Sequence, residues 1–400
     1  MYRDGMSMFK PFPPRPMQPG FLLALLLLAT PLVSPVSAQS SQGSRNVSLL
    51  GRAPVRAGGA VVALALDQAR PLAYVAHEDG ISVVNTEQFT VVSSWTSDSG
   101  GIKDVVQFGH RGIALATEDG VRFGTVSDDG SLEPGRFVAN SGIRSLAGYR
   151  HSSGAAYLLA ASMTGITMIG DESSAVIPVP EDVPGRERGA YGVYAAYDLA
   201  SETDRLYMAA AGGYFVFDVS DVTAPELLTW VNSAAIQNGT DVQASPDATT
   251  IVTTTDYASS PVRIFDLRPA LDGSISQVRT ASGAWTANWR SHAERFQLRW
   301  PYVFVAGRDQ GFRMFNMRNL YEPYSTAWFR TAQPGAKLGA IDIDVRNADG
   351  LVAVLDADTG LWLLQVEDFH GWDGRGWGLG NISAVQNWNQ GPLGADQWRP

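Results

Sequence analysis

Residues 206–219 read LYMAAAGGYFVFDV, two apolar runs that are separated by a short glycine turn. The same arrangement occurs at residues 72–85 (LAYVAHEDGISVVN), 302–317 (YVFVAGRDQGFRMFNM) and 351–366 (LVAVLDADTGLWLLQV). Short apolar runs bounded by glycine are typical of buried β-strands. Each copy therefore predicts two adjacent strands joined by a tight turn.

Three further copies bring the number of repeats to seven. They lie at residues 113–126, 157–170 and 250–267, the last with Pro261 where the others have glycine. The seven turn positions are 80, 120, 165, 213, 261, 311 and 360. Their spacing of about 40 to 50 residues is typical of four-stranded propeller blades.

The remaining two strands of each blade can also be placed. A shorter segment precedes each pair, as at 101–109, and predicts the innermost strand, whereas an outer-strand segment such as 91–95 follows it. The seventh pair has no outer segment after it, while residues 48–55 (SLLGRAPV) are unassigned. We therefore predict an all-β, seven-bladed β-propeller over residues 48–369, with an N-terminal strand that closes the last blade and leaves no break in the ring.

One blade resembles a known family of repeats. Residues 206–225 (LYMAAAGGYFVFDVSDVTAP) are similar to the bacterial LVIVD repeat, which consists of an apolar strand, glycine, a second apolar strand and Asp-Val-Ser-Asp-x-x-x-Pro. In the other blades the similarity is reduced to the glycine and its flanking apolar runs. The resemblance implies an exported propeller repeat protein, with little indication of its biochemistry.

The N-terminus has the pattern of an export signal. Basic residues precede an apolar run at 21–33, and a small-x-small cleavage pattern ends at Ala38. This pattern predicts a bacterial signal peptide at 1–38 and a secreted or periplasmic protein. An uncleaved anchor is the alternative, although the run is short for a span of ~20 residues, and no integral span is expected after cleavage.

Charge and composition exclude several classes of function. The chain has a formal net charge of −10 and no cysteine. Because nucleic-acid binding depends on neutralising phosphates, we expect no nucleic-acid partner. The absence of cysteine also excludes thiolate metal sites and cysteine nucleophiles.

Propellers bind ligands mainly at the mouth of the central channel, where the innermost strands begin. Asp104, Asp241 and Asp342 stand near the starts of three such strands and are the predicted metal ligands. No cofactor is certain, and Ca²⁺ is the ion that such carboxylates favour. The alternative is structural, because an aspartate at this place can accept backbone hydrogen bonds and tie adjacent blades together.

The catalytic residues are unknown from sequence, but His292 and Glu294 are candidates. His292 occupies a position where several other blades have glycine, and a histidine at a channel mouth can serve as a ligand or general base. A half-buried histidine that only forms hydrogen bonds is the alternative.

Four further residues are predicted to bind a ligand. His77 and Arg308 stand in the loops between second and third strands, and Trp285 and Trp289 stand in a long connection at 281–291. The tryptophans could stack on a sugar or a peptide side chain, or else pack between blades.

The C-terminal segment, residues 370–400, departs from the repeat and is rich in tryptophan and glycine. It is too aromatic for a solvated linker, so we predict that it docks on the propeller. The alternative is an exposed segment that binds another chain.

Two functional hypotheses follow. The first is a non-catalytic binding or scaffold protein of the cell envelope or exterior, which takes a protein or a small polar or carbohydrate ligand on the propeller face. The alternative is a metal-assisted hydrolase or lyase at the channel mouth, with His292 as base. The first is preferred because the sequence contains no recognised catalytic motif.

Overall fold

The computed structural model describes residues 42–55, 59–98, 100–171, 174–231, 238–257, 259–288, 292–331, 339–367 and 369–372. The predicted signal peptide, Trp289 and the C-terminal segment beyond Trp372 lie outside the described residues. No helix in the described part of the chain is long and apolar enough to cross a membrane.

The described residues form strands with little helix. A single turn of 3-10 helix spans Arg186–Arg188. In chain order the other elements are β1 (Val47–Ala53), β2 (Val61–Leu66), β3 (Leu72–His77), β4 (Gly80–Asn85), β5 (Thr90–Thr96), β6 (Ile102–Gln107), β7 (Gly112–Thr117), β8 (Gly120–Val126), β9 (Leu132–Ala139), β10 (Ser145–Arg150), β11 (Ala156–Ser162), β12 (Gly165–Ile169), β13 (Ser174–Ile177), β14 (Ala190–Asp198), β15 (Thr203–Ala210), β16 (Gly213–Asp218), β17 (Glu226–Val231), β18 (Gly239–Ala244), β19 (Thr250–Thr255), β20 (Val262–Asp266), α1 (Arg268–Leu271), β21 (Gly283–Trp285), β22 (Ala293–Arg299), β23 (Tyr302–Gly307), β24 (Gly311–Asn316), β25 (Tyr324–Phe329), β26 (Ala340–Val345), β27 (Val352–Asp356) and β28 (Gly360–Val366).

The strands assemble into seven four-stranded antiparallel sheets. Blade 1 is β2-β3-β4-β5, and blades 2 to 6 each continue with the next four strands in order. Blade 7 is β26-β27-β28-β1, so its outer strand comes from the beginning of the described chain. The chain is a seven-bladed β-propeller, as the repeat predicts.

Strand β1 closes the ring as predicted. Val47 pairs with Val366 and Ala53 with Leu361, so β1 runs antiparallel along β28. Gly360 opens β28 at φ +89°, and a Cβ there would lie 2.7 Å from the Ala53 carbonyl oxygen. The turn glycine of the seventh repeat is therefore needed both for the left-handed backbone and for the close approach of the closing strand.

The second and third strands of the blades are largely buried because the blades pack face to face. Every residue of β3 and β27 is buried, which explains why these segments read as continuous apolar runs. Between blades 6 and 7, Phe304, Phe312 and Trp362 form one continuous apolar cluster. The core of the propeller is thus a set of layers between neighbouring blades.

The fifth blade differs from the sequence interpretation. Residues 281–291 were expected to form a long connection, whereas Gly283–Trp285 form β21, the outer strand of blade 5. The long connection comes earlier and contains α1, which has Pro269 in its first turn. Only three residues long, β21 is too short for periodicity to reveal it.

Removal of β1 should open the ring. A chain that begins at residue 56 loses the buried Val47, Ala53 and Val55 and exposes the edge of β28. We expect its free energy of unfolding to fall by at least about 3 kcal/mol relative to a chain that begins at residue 42. Denaturant titration of the two forms measures this difference, and equal stability would contradict closure by β1.

Candidate binding site in the central channel

The start of the innermost strand has the same irregularity in six of the seven blades. The pairing of the innermost strand with the second strand shifts register there, and only the pairing of β10 with β11 is regular. When the seven innermost strands are aligned by this register, one position corresponds in all of them. We call the seven residues at this position the axial ring. From blade 1 to blade 7 its members are Ala63, Asp104, Ser145, Gly192, Asp241, Arg295 and Asp342.

A cavity of about 160 Å³ lies along the channel. It is lined by residues from the innermost strands of all seven blades, including Asp104, Asp241, Arg295 and Asp342 of the axial ring. Trp372, at the end of the described chain, also lines it. The structure therefore brings together the three aspartates that the sequence singled out.

The aspartates of the axial ring accept backbone hydrogen bonds from the next blade. Asp104 Oδ2 accepts the Leu146 N–H at 2.7 Å, and Asp342 Oδ2 accepts the Leu64 N–H at 2.7 Å. Asp344, two residues further along β26, accepts the Leu66 N–H at 2.8 Å. These contacts are the blade-to-blade ties that the sequence left open as the structural alternative.

Arg295 is the unexpected member of the axial ring. Its Nη1 donates to Ser145 Oγ at 3.4 Å, and its Nη2 lies 3.9 Å from Asp104 Oδ2. The side chain starts in blade 6, whereas these partners belong to blades 3 and 2, so it crosses the channel. Burial lowers the pKa of Arg295, but the attraction of the surrounding carboxylates outweighs burial and raises the pKa above its usual value.

The carboxylates around Arg295 hold protons more tightly than aspartates in water. Burial raises the pKa of Asp241 to about 6 and that of Asp342 to about 7, although Arg295 opposes both shifts. Burial also raises the pKa of Asp104, again against the attraction of Arg295. A single guanidinium therefore does not compensate three buried carboxylates.

The other end of the cavity is a closed polar network. Arg299 Nε donates to Asn347 Oδ1 at 2.6 Å, and its Nη2 donates to the Val345 carbonyl at 3.0 Å. Its guanidinium lies 5.8 Å from the centre of the Trp372 ring, and the backbone N–H of Trp372 donates to the Asn347 carbonyl at 2.8 Å. The chain after β28 thus returns to the channel, while docking of the whole C-terminal segment stays a prediction.

His292 and Glu294 lie side by side at the start of β22. His292 Nε2 is 3.6 Å from Glu294 Oε1, and Glu294 also forms an ion pair with Arg308. The side chains of His292 and Glu294 are about one fifth exposed, and that of Arg308 is half exposed. The structure therefore brings three of the predicted residues together, and their catalytic and ligand-binding roles stay predictions.

His77 and Trp285 have structural partners. His77 is buried, and its Nε2 lies 3.3 Å from Ser82 Oγ. The Trp285 ring stacks on Phe315 with centroids 4.6 Å apart, and its Nε1–H donates to Ser325 Oγ at 3.0 Å. Trp285 thus packs between blades 5 and 6, and ligand roles for the two residues stay predictions.

The predicted metal ligands of the axial ring face a positive charge that the protein itself supplies. Within the described part of the chain, no group of three or more His, Asp or Glu residues could hold a metal ion. Asp104, Asp241 and Asp342 instead surround a guanidinium, which already supplies a positive charge. Metal binding by these residues stays a prediction.

Sequence reasoning missed Arg295 as a site residue, although a signal for it was present. If His292 is aligned with Gly101, the glycine before β6, Arg295 falls on Asp104. The same alignment on Gly339 places it on Asp342, and the strand register places it on Asp241. A position that is acidic in three blades and basic in one predicts a charge cluster on the axis.

Comparisons with known proteins support the fold. No family model and no curated protein matches the chain. Among solved structures, it is similar to the β-propeller domain of Cps50 (Swd1) from Myceliophteria thermophila, with a TM-score of 0.56 and 12% identity over 80% of this chain and 99% of that chain. At this identity the likeness shows the fold alone, and the LVIVD-repeat resemblance stays a prediction.

The raised pKa of Asp342 predicts a pH-dependent effect of Asp342→Asn. Because the folded state binds the Asp342 proton more tightly than the unfolded state does, it gains stability that is fully present below pH 3.8, the ordinary pKa of aspartate. This gain is lost as the pH rises through about 7, the pKa of Asp342 in the folded state. Asparagine is neutral throughout, so wild type should lose about 2–3 kcal/mol relative to the variant between pH 5 and pH 8. Denaturant titrations at both pH values measure the change. Substitution of the exposed Asp309 by asparagine serves as control. If the free energies of unfolding of wild type and Asp342→Asn differ by the same amount at both pH values, the burial of an unpaired carboxylate is contradicted.

Proposed function

We propose that the protein is an exported, non-catalytic binding or scaffold protein of the cell envelope or exterior, and that its binding site is the axial cavity with its mouth. One observation carries this proposal: Arg295 crosses a polar cavity whose walls come from seven different blades. Convergent polar groups in a concave site are the usual form of a small-ligand site. The signal-like N-terminus supports the exported location.

Arg295 favours binding because its hydrogen-bonding capacity is not used up. Among the described residues, its guanidinium has one hydrogen bond of 3.4 Å and one ion pair of 3.9 Å. By contrast, Arg299 in the same channel bonds Asn347 and two backbone carbonyls. A guanidinium with remaining donors and a lining of carboxylates offers both signs of charge to a ligand.

A thermal-shift screen of small polar molecules tests the proposal. A ligand at about 100 times its Kd stabilises the native state by about 2.7 kcal/mol, so a true ligand raises the melting temperature of the wild-type protein. The rise should be retained in the control Asp309→Asn and lost in Arg295→Gln. An absence of any stabilising compound, or an equal rise in Arg295→Gln, would show that the axial cavity is not a binding site.

The metal-assisted hydrolase or lyase is the less supported alternative, because the axial carboxylates gather around Arg295. We expect neither Ca²⁺ nor EDTA to change the melting temperature of the purified protein. A Ca²⁺-dependent rise that disappears in Asp342→Ala would instead favour the metal-dependent alternative.

A further inference from the structure

The axial ring has an asymmetric distribution of side chains. Large charged residues come from blades 2, 5, 6 and 7, whereas blades 1, 3 and 4 contribute Ala63, Ser145 and Gly192. At Gly192 the backbone of blade 5 comes so close that a Cβ would lie 2.6 Å from the Thr240 carbonyl oxygen. The glycine thus admits the backbone of blade 5, and the small Ser145 leaves space for Arg295 to reach it from blade 6.

Within the part of the chain that the structure describes, two carboxylates have no cation at contact distance. Asp241 and Asp342 belong to the blades on either side of Arg295, yet the ion pair of Arg295 within the described residues is with Asp104. Among the described residues, Asp342 accepts hydrogen bonds only from the N–H groups of Leu64 and Ile343. Both carboxylates line the cavity and keep lone pairs for a further donor.

The site therefore offers opposite charges within one small space. The guanidinium of Arg295 can receive a carboxylate, and Asp241 and Asp342 can receive an ammonium group. An ammonium donates separate hydrogen bonds in several directions, so it does not require the tight convergence of carboxylates that a metal ion requires. A zwitterion, which carries a carboxylate and an ammonium group, therefore matches the charges of this cavity.

The volume limits the size of the ligand. A protein cavity of about 150 Å³ accommodates benzene, and the axial cavity has a similar volume of about 160 Å³. The ligand therefore has about five to seven non-hydrogen atoms, which corresponds to glycine, β-alanine or γ-aminobutyrate.

We propose that the axial cavity binds a small zwitterionic amino acid, with its carboxylate on Arg295 and its ammonium group between Asp241 and Asp342. This inference rests on the proposed binding function and names the ligand class for the same site. Tyr194 also lines the cavity and adds a polar side chain to its wall.

Calorimetric titration with matched ligands tests this proposal. Glycine, β-alanine and γ-aminobutyrate are compared with acetate and methylammonium, which each carry half of the zwitterion, and with tryptophan, which exceeds the cavity. At least one of the three zwitterions should bind about tenfold more tightly than either half-ligand, and tryptophan should not bind. Failure of all three zwitterions to bind, or equal binding of a half-ligand, would overturn the proposal.

Substitutions test which side chain binds the carboxylate of the ligand and which binds its ammonium group. Arg295→Gln should reduce the affinity for the best zwitterion to that for methylammonium, and Asp342→Asn should reduce it to that for acetate. Asp309→Asn should leave it unchanged. Melting temperatures measured without ligand show whether each variant is folded. If Arg295→Gln is not folded, Arg295→Lys replaces it, because lysine keeps the positive charge but lacks the bidentate guanidinium. A uniform loss for all ligands in both variants would contradict the assignment.

The outcomes separate this inference from the proposed function. If another polar compound stabilises the protein in an Arg295-dependent manner while no zwitterion binds, the binding function stands and the ligand class is wrong. If no compound of any class depends on Arg295, both are wrong.

Discussion

The propeller depends on hydrogen bonds that each innermost strand makes to the innermost strand of the neighbouring blade around the central channel. Each innermost strand is the inner edge of its sheet, so the N–H groups on its free side have no partner within the blade. Carboxylate and amide side chains of the preceding blade accept them, as Asp342 does for Leu64, Asp104 for Leu146 and Gln243 for Leu298. These hydrogen bonds hold neighbouring blades at a fixed spacing near the axis.

The same arrangement creates the candidate site. The aspartates that tie the blades point into a narrow channel, where burial makes their charges costly. Arg295 stands at the position where three other blades have aspartate, and it offsets part of that charge while retaining donors of its own. A scaffold with one repeated position can therefore combine structural ties and a binding group, because substitution in a single blade leaves the other blades intact.

Much of the fold could be predicted because the apolar runs recur in every blade and the turn glycine in every blade but the fifth, and the unassigned 48–55 segment identified the closing strand. The site was less predictable. Asp104, Asp241 and Asp342 stood out as acids, but their backbone partners lie on neighbouring blades, and no local pattern reveals such pairs. Trp285 looked like a loop residue because the three-residue strand that contains it has no detectable period.

The most direct test of this account is amide hydrogen exchange at the innermost strands. Leu64, Leu146 and Leu298 donate their N–H groups to side chains of the neighbouring blade, so we predict that these edge amides exchange as slowly as amides inside the sheets. Asp342→Ala should accelerate exchange at Leu64 and leave Leu298 protected. Exchange of the three amides at the rate of exposed loops in the wild-type protein would contradict the proposed ties between blades.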